Sequence, residues 1–152
     1  MAVYTVFNVA GPLWRDVIGS TVVSSGPNLI IVRNSDSTQT WLSGSFAVFG
    51  GAIGGTITSI QRVAFDGTVQ ETITGLAYAV ADFFLPGPPQ GRFRQLLSGD
   101  DTMNGGAGAD LLIGYGGADV MRGGAGNDGG GNTLTLTGVT LGSLNQNDFL
   151  FG

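Results

Sequence analysis

Residues 96–131 read LLSGDDTMNGGAGADLLIGYGGADVMRGGAGNDGGG, and this stretch decides how the rest of the chain is interpreted. Divided into nines, it becomes LLSGDDTMN, GGAGADLLI, GYGGADVMR and GGAGNDGGG. Each unit approaches one pattern: a glycine-rich half that ends in aspartate, then a short segment that has room for one large apolar residue. Glycine reaches backbone angles that other residues avoid, so the first half can turn and the second half can form a strand. The stretch therefore predicts short parallel strands joined by tight turns.

One apolar residue in each of the first three units is expected to point inward: Met103, Leu112 and Met121. Side chains alternate along a strand, so Leu111 and Ile113 are expected to point outward. Two large apolar side chains on that face favour a covering layer, because their burial is stabilising. The candidates for this covering layer are the chain's own tail, its N-terminal region and a second subunit.

Two nonapeptides make one coil, so turns eighteen residues apart are expected to stack on the same edge. Asp101 would then lie near Asp119, and Asp110 near Asp128. Ca²⁺ takes about six to eight oxygen ligands from carboxylates and carbonyls, and stacked turns supply both. The predicted metal ligands are these four aspartates and six turn glycines: Gly99, Gly106, Gly108, Gly117, Gly124 and Gly126.

The alternative is that a stretch with thirteen glycines and five aspartates is a disordered linker. The phase argues against a linker, because four aspartates recur at intervals of nine and the first three are each followed two positions later by an apolar residue. The number of departures from the glycine pattern in each unit predicts which calcium site binds more tightly. Leu96 and Leu97 replace glycines in the first unit and Tyr115 does so in the third. The pair Asp110 and Asp128, in the complete units, is expected to be the better site.

The composition excludes several kinds of site. The chain has no cysteine and no histidine, so it forms no disulfide, no thiolate metal site and no histidine-dependent nucleophile. It has no lysine and a net charge of −5, so a nucleic-acid partner is not expected. Charged residues make up 11% of the chain, less than half of the usual ~25%. So few surface charges favour self-association.

The chain is predicted to be all-β, with three parts. Residues 1–95 are expected to form a mostly antiparallel β-rich domain, with a short helix near 76–85 and a linker at 86–95. Its predicted strands are 3–9, 28–33, 38–42, 45–49, 56–65 and 68–74, and Asp66-Gly67 predicts a two-residue hairpin turn. Residues 96–131 form the parallel roll, and residues 132–152 are expected to cap it with one or two strands. No cleavable signal peptide and no membrane span are expected.

Residues 96–131 resemble the RTX repeat, the hemolysin-type calcium-binding nonapeptide. The chain ends in Asp148, Phe149, Leu150, Phe151 and Gly152, which is similar to the uncleaved C-terminal signal of small type I secretion substrates. The resemblance implies Ca²⁺ as the cofactor, an ABC exporter as a transient partner, and a secreted or cell-surface location.

Catalysis is the first class of function to weigh, and the chain is not expected to be an enzyme. Neither HExxH nor GxSxG occurs in it. A carboxylate pair could be drawn from Asp66, Glu71 and Asp82. The hairpin turn explains Asp66, and an exposed helix face explains Asp82.

Two non-catalytic classes remain. The aromatic residues Tyr4, Trp14, Trp41 and Tyr78 could form a platform for a sugar, although core packing is the more common role of aromatic residues in a β domain. An extracellular carbohydrate- or surface-binding module is therefore the alternative. The favoured class is a self-assembling structural protein, a filament, lattice or biofilm matrix component, because charges are few and unprotected strand edges are many.

Overall fold

The computed structural model describes residues 1–7, 21–85, 89–107, 110–124 and 133–135, and these residues are mostly strand. These described residues include two short helices, α1 (Val80–Phe83) and α2 (Pro89–Leu96). The strands in chain order are β1 (Val3–Val6), β2 (Thr21–Ser25), β3 (Leu29–Arg33), β4 (Gln39–Phe49), β5 (Ala52–Val63), β6 (Val69–Ala79), β7 (Thr102–Asn104), β8 (Leu111–Ile113), β9 (Val120–Arg122) and β10 (Thr133–Thr135). The predicted all-β class is confirmed.

Eight of these strands form one sheet in the order β2-β3-β4-β5-β6-β1-β7-β9. From β2 to β6 each strand pairs antiparallel with the next one in the chain. The first strand then lies between the two halves of the sheet, antiparallel to β6 and parallel to β7. The remaining described strands, β8 and β10, pair in parallel in a second sheet. The sheet of the N-terminal region therefore continues without a break into the glycine-rich region.

A single row of apolar side chains holds this sheet together from one half to the other. Neighbours in the row face each other across the strands in the order Ile30, Leu42, Ile60, Ile73, Tyr4, Met103 and Met121. The first six are buried and Met121 is half-buried. Burying one large aliphatic side chain contributes about 1.5–3 kcal/mol. Tyr4 connects the part of the row in the N-terminal strands to the part in the glycine-rich strands.

Most predicted strands are present, with differences at their ends. The segments predicted as 38–42 and 45–49 form one strand, β4, with a register shift between Ser43 and Gly44. The turn at Asp66-Gly67 is present, but the strands close with the Ala64 N–H donating to the Thr68 carbonyl at 2.8 Å. The loop therefore contains three residues, and the prediction of two was wrong. The end of the first predicted strand, residues 8 and 9, lies outside the described residues.

The prediction of a helix near 76–85 was wrong for the first half of that segment. Residues up to Ala79 continue β6, where Tyr78 pairs with Ile57 and Ala79 with Thr56. Only Val80–Phe83 is helical, with Val80 and Phe83 buried. The apolar spacing fits a helix and a strand almost equally, and pairing with β5 decides in favour of the strand.

The linker predicted at 86–95 was also wrong, because residues 89–96 form α2. Proline suits the first position of a helix, where its missing N–H costs nothing. Phe93 and Leu96 of α2, and Leu97 after it, are buried in the core. Leu96 and Leu97, which depart from the nonapeptide pattern, therefore close the core against the helix instead of forming a glycine-rich turn.

Part of the predicted C-terminal cap is described. Thr133–Thr135 forms β10, which pairs with β8 in a register that places the backbone of Leu134 beside that of Leu112. Leu112 is buried as predicted, and Ile113 is half-buried. The side chain of Leu111 and the C-terminal residues 148–152 lie outside the described residues, so the predictions that concern them stay predictions.

Candidate functional site: the stacked aspartate turns

The strands of the glycine-rich region stack with the predicted spacing. Between β7 and β9 the partners are Thr102 with Val120, Met103 with Met121, and Asn104 with Arg122. Each pair is eighteen residues apart, so two nonapeptides make one coil. The prediction that Asp101 lies near Asp119 is confirmed, since the Asp101 N–H donates to Asp119 Oδ1 at 3.0 Å.

Asp101 is 3% exposed, and its two carboxyl oxygens have different surroundings. Oδ1 accepts the backbone N–H of Ala2 at 2.5 Å. Oδ2 is buried and has no hydrogen-bond partner within the described ranges. Burying a carboxylate is costly unless a positive charge or further donors compensate it. A cation at Oδ2 would supply that compensation.

The Asp119 carboxyl is affected by the charge of Asp101 and by that of a third acid, Asp100, which the nonapeptide pattern does not include. Burial raises the pKa of the Asp119 carboxyl, and the negative charges of Asp101 and Asp100 raise it further, while the hydrogen bond from the Asp101 N–H opposes them. Asp100 accepts the Ala118 N–H at 2.8 Å, so this hydrogen bond also joins two turns that are eighteen residues apart. Repulsion between these negative charges is an electrostatic condition that a bound Ca²⁺ relieves.

Asp110 lies on the other edge of the coil and is 7% exposed. Its Oδ2 accepts the Gly106 N–H at 2.7 Å. Burial raises the pKa of Tyr4, and the negative charges of Glu71 and Asp110 raise it further. The predicted partners on this edge, Asp128, Gly108 and Gly126, lie outside the described residues, and this half of the site stays a prediction.

The predicted turn glycines approach one another closely. A Cβ on Gly117, whose φ is +105°, would lie 2.3 Å from the Gly99 carbonyl oxygen. On the other edge, a Cβ on Gly124, whose φ is +81°, would collide with the Gly106 carbonyl oxygen. Only glycine permits both the backbone angle and the approach. The carbonyls of Gly99 and Gly106 are therefore each stacked against a turn eighteen residues later.

The first strand of the chain continues this stacking, which the sequence did not reveal. The Thr102 N–H donates to the Ala2 carbonyl at 3.0 Å, just as the Val120 N–H donates to the Asp101 carbonyl at 2.8 Å. Ala2 also donates to the Asp101 carboxylate as Asp101 donates to that of Asp119. We refer to residues 2–7, 101–106 and 119–124 as the three rungs.

The first rung differs from the other two at one important position. Ala2 stands where the second and third rungs have Asp101 and Asp119, while Tyr4 takes the inward position of Met103 and Met121. A signal in the sequence exists only in hindsight: Val3-Tyr4-Thr5 alternates like Thr102-Met103-Asn104. Without the glycine-rich turn or the aspartate, nothing marks residues 2–7 as part of the repeat.

The residues present fit a calcium site formed mainly by oxygen atoms of the turns. No compact group of three or more acidic, histidine or cysteine side chains suited to a metal occurs in the parts of the chain that the structure describes. Ca²⁺ accepts carbonyl oxygens as readily as carboxylates. On the edge of the coil that carries Asp101 and Asp119, these two carboxylates and the carbonyls of Gly99 and Gly117 are the groups that would hold the Ca²⁺ ion.

The carboxylates considered for catalysis do not form a comparable arrangement. Asp66 is in its hairpin turn, where Oδ1 accepts the Thr68 N–H at 2.9 Å. Asp82 is exposed on α1. Glu71 is fully buried on β6, beside Tyr4. Turn geometry, a helix surface and core packing account for the three positions.

Comparison with known proteins agrees with the geometry. Residues 97–132 match the family model of the RTX calcium-binding nonapeptide repeat, in four copies. Neither the curated proteins nor the solved structures contain a match to the chain. Within the described ranges, no helix has the length and apolarity needed to cross a membrane. The eighteen-residue stacking, the paired aspartates and the family match together identify residues 97–132 as RTX repeats that bind Ca²⁺.

Proposed function

We propose that this protein is a secreted, non-enzymatic calcium-binding RTX protein that assembles into a filament or lattice in the extracellular matrix or at the cell surface. RTX repeats are typical of secreted proteins and belong to the context of type I secretion. The calcium part of the proposal rests on the stacked pair Asp101 and Asp119. Where free Ca²⁺ is scarce, these carboxylates repel each other and the glycine-rich chain has a large ordering entropy. Outside the cell, Ca²⁺ allows it to fold.

The proposed exporter is an ABC transporter that recognises the C-terminal residues. Deletion of residues 147–152 should retain the protein inside a producing cell that carries the exporter. Trimming the first few residues of the chain serves as the control and should leave export unchanged. Immunoblots of medium and cells measure both. Normal secretion of the C-terminally shortened chain would place the signal elsewhere.

Assembly is supported by large apolar side chains at opposite ends of the sheet. Phe49, the last residue of β4 before the turn to β5, is 73% exposed, and Phe65 is 93% exposed in the turn between β5 and β6. The two turns lie at opposite ends of β5, which has twelve residues, so they are about 40 Å apart. A contact between unlike ends is heterologous, so it produces an open filament unless the rotation from one subunit to the next closes a ring.

The composition of this region and the sheet edge favour the same conclusion. Between Asp36 and Arg62 no residue carries a charge. All residues of β2, at one edge of the large sheet, are exposed and uncharged. Neither the turn with Phe49 nor this edge has the lysines that commonly protect natural strands from pairing with other chains.

Two single variants test the head-to-tail arrangement. Phe49→Ser and Phe65→Ser each remove one end, so each protein alone should be monomeric in calcium by light scattering. An equimolar mixture should form heterodimers, because each variant keeps the end that the other lacks. Ser substitution at Val120, exposed on the glycine-rich strand β9, is the control for lost apolar surface and should still assemble.

Other outcomes are equally informative. Dimers of either variant alone would mean that like ends meet. A wild type that stays monomeric in calcium at high concentration would contradict assembly and favour the alternative, an extracellular carbohydrate- or surface-binding module. A sugar array would then be the next measurement, although Tyr4 is buried and Trp41 is half-buried with its Nε1–H donated to Gln39 at 2.8 Å.

A further inference from the structure

Tyr115 has a backbone conformation that residues other than glycine rarely adopt. Its φ is +52°, and among the described residues other than glycine only Ser37 shares a positive φ. The Gly116 N–H donates to the Gly114 carbonyl at 2.6 Å, so Tyr115 is the central residue of a γ-turn. A γ-turn with a positive central φ is rare and strained. Such strain persists where the surrounding structure holds the residue in place.

The equivalent position in the next nonapeptide is Gly124, whose φ is +81°. Tyr115 therefore keeps the backbone conformation that glycine has there, although a Cβ makes it costly. Eighteen residues before Tyr115 the same position is Leu97, which follows α2 directly and is 2% exposed. The edge of the coil beside α2 thus carries two large side chains at this position, whereas the other edge has Gly106 and Gly124.

The side chain of Tyr115 contacts both α2 and the core. It is half-buried and packs against the main hydrophobic cluster. The guanidinium of Arg94, on α2, lies 6.0 Å from the centroid of its ring, which is within reach of a cation–π interaction. Burial raises the pKa of Tyr115, and the charge of Arg94 opposes this rise. The ring therefore joins the third nonapeptide to a helix that precedes the repeats.

The turn that Tyr115 centres also contacts groups of the calcium site. A Cβ on Gly114 would collide with Asp119 Oδ2, so the backbone at the start of the turn lies directly against that carboxylate. Two residues after Tyr115, Gly117 approaches the Gly99 carbonyl. A shift of the γ-turn would displace both the carboxylate and the stacked carbonyl.

We propose that Tyr115 is a positioning residue for the calcium site of Asp101 and Asp119. Its ring, packed on α2 and the core, holds the γ-turn so that the Asp119 carboxylate and the turn carbonyls are arranged before the ion binds. Less ordering entropy is then lost on binding. The proposal rests on the calcium binding of the proposed function, and it makes Tyr115 a support of the site instead of a fault in the glycine pattern.

Tyr115→Gly in the full-length protein separates these two roles. Glycine relieves the positive φ and restores the repeat pattern, so the pattern alone predicts tighter calcium binding. If the ring positions the turn, calorimetric titration with Ca²⁺ should instead show a loss of about tenfold in the affinity of this site, as for other groups that orient metal ligands. Tyr115→Phe keeps the ring and should restore the wild-type affinity.

A double-mutant cycle distinguishes positioning from a general loss of stability. In an Asp119→Asn background the carboxylate that the turn positions is already absent, so the further change Tyr115→Gly should have little effect on calcium affinity. A purely structural role would give the same loss in both backgrounds.

Arg94→Gln tests the contact from the side of the helix. Arg94 is exposed, so the substitution should not disturb folding. Removing a positive charge near the acidic turns would by itself strengthen calcium binding, whereas release of the Tyr115 ring should weaken it. Arg92→Gln is the matched control, because Arg92 is also on α2 but lies over the ring of Phe83. It should not weaken binding.

The outcomes separate this proposal from calcium binding itself. Affinity of Tyr115→Gly at or above that of the wild type would overturn the positioning role while the repeats still bind Ca²⁺. Equal losses in the two backgrounds of the cycle would also overturn it. No calcium binding by the wild type would overturn the proposed function as well. If Tyr115→Gly fails to fold in calcium, as judged by circular dichroism, Arg94→Gln decides, and unchanged or tighter binding by that variant contradicts the proposal.

Discussion

Ala2 and Asp101 are 99 positions apart in the chain, yet the Ala2 backbone N–H donates to the Asp101 carboxylate at 2.5 Å in a buried environment. The contact reproduces the one between Asp101 and Asp119, one rung further along. Asp119 accepts a hydrogen bond from the next turn of the repeats, and Asp101 accepts the equivalent hydrogen bond from the first strand of the N-terminal sheet. Calcium binding at this end of the repeats and the packing of that strand act on the same side chain.

This double role predicts different effects for two substitutions at Asp101. Asp101→Asn removes the charge but keeps an oxygen that accepts the Ala2 N–H, whereas Asp101→Ala leaves that buried N–H without a partner. An unpaired buried donor costs about 1–3 kcal/mol. In saturating calcium, urea unfolding should therefore show the alanine variant to be less stable than the asparagine variant by about this amount. Equal stability would mean that the hydrogen bond contributes nothing.

The two edges of the coil should differ in calcium affinity. Asp110 and Asp128 belong to units with complete glycine patterns, whereas the turns before Asp101 and Asp119 contain Leu96, Leu97 and Tyr115. Alanine at Asp110 or Asp128 should cost more affinity than alanine at Asp101 or Asp119. Isothermal titration of the four single variants provides the ranking, and a larger loss at Asp101 would reverse it.

Asp119 should make calcium-dependent folding sensitive to pH. Burial and its acidic neighbours raise its pKa above the ordinary 3.8. In the calcium-free folded chain, the resulting destabilisation is fully present above the raised pKa and disappears as the pH falls below the unfolded value. Ca²⁺ needs the ionised form, so protons compete with it in that window.

The calcium concentration at the folding midpoint should therefore rise as the pH falls through the raised pKa of Asp119. This rise should begin at a higher pH than it would for an aspartate of ordinary pKa. Circular dichroism during calcium titration at a series of pH values measures the midpoint. Asp119→Asn should show a flatter dependence on pH. Parallel curves for the variant and the wild type would assign the effect to other carboxylates.

The close stacking of the turns predicts a contrast between two glycines. Gly117→Ala places a methyl group against the Gly99 carbonyl at a φ of +105°, whereas a Cβ on Gly99 meets nothing within 4 Å. The unfavourable backbone angle alone costs about 1–3 kcal/mol. Gly117→Ala should raise the calcium midpoint of folding markedly, and Gly99→Ala should leave it nearly unchanged. Similar midpoints for both would contradict the observed approach.

The spacing of residues within the repeats was sufficient to predict their local arrangement. Four aspartates at intervals of nine and an apolar residue two positions after each of the first three predicted stacked strands, and the pairing of Met103 with Met121 confirms this spacing. Such a prediction succeeds because the interacting residues repeat in phase, so short-range geometry determines which turns meet. The metal ligands predicted from the same pattern remain to be tested by titration.

Tertiary contacts decided what local patterns left ambiguous. The spacing of Leu76, Ala79 and Val80 suits a helix, but pairing with β5 extends the strand to Ala79. Leu96 and Leu97 look like faults in a glycine-rich unit, but they are core residues at the end of α2. In both places the backbone has two conformations of similar local energy, and burial against a distant strand or core selects one.

The sequence by itself determined the all-β class and the eighteen-residue coil, because side-chain alternation and glycine-aspartate phase act over a few residues. Only the tertiary structure decided that the first strand lies between β6 and β7 and that Ala2 reaches Asp101. Residues 2–7 carry neither the glycines nor the aspartate of the repeat. Their position follows from backbone hydrogen bonds, which any residue but proline can make, and from the burial of Tyr4 beside Met103.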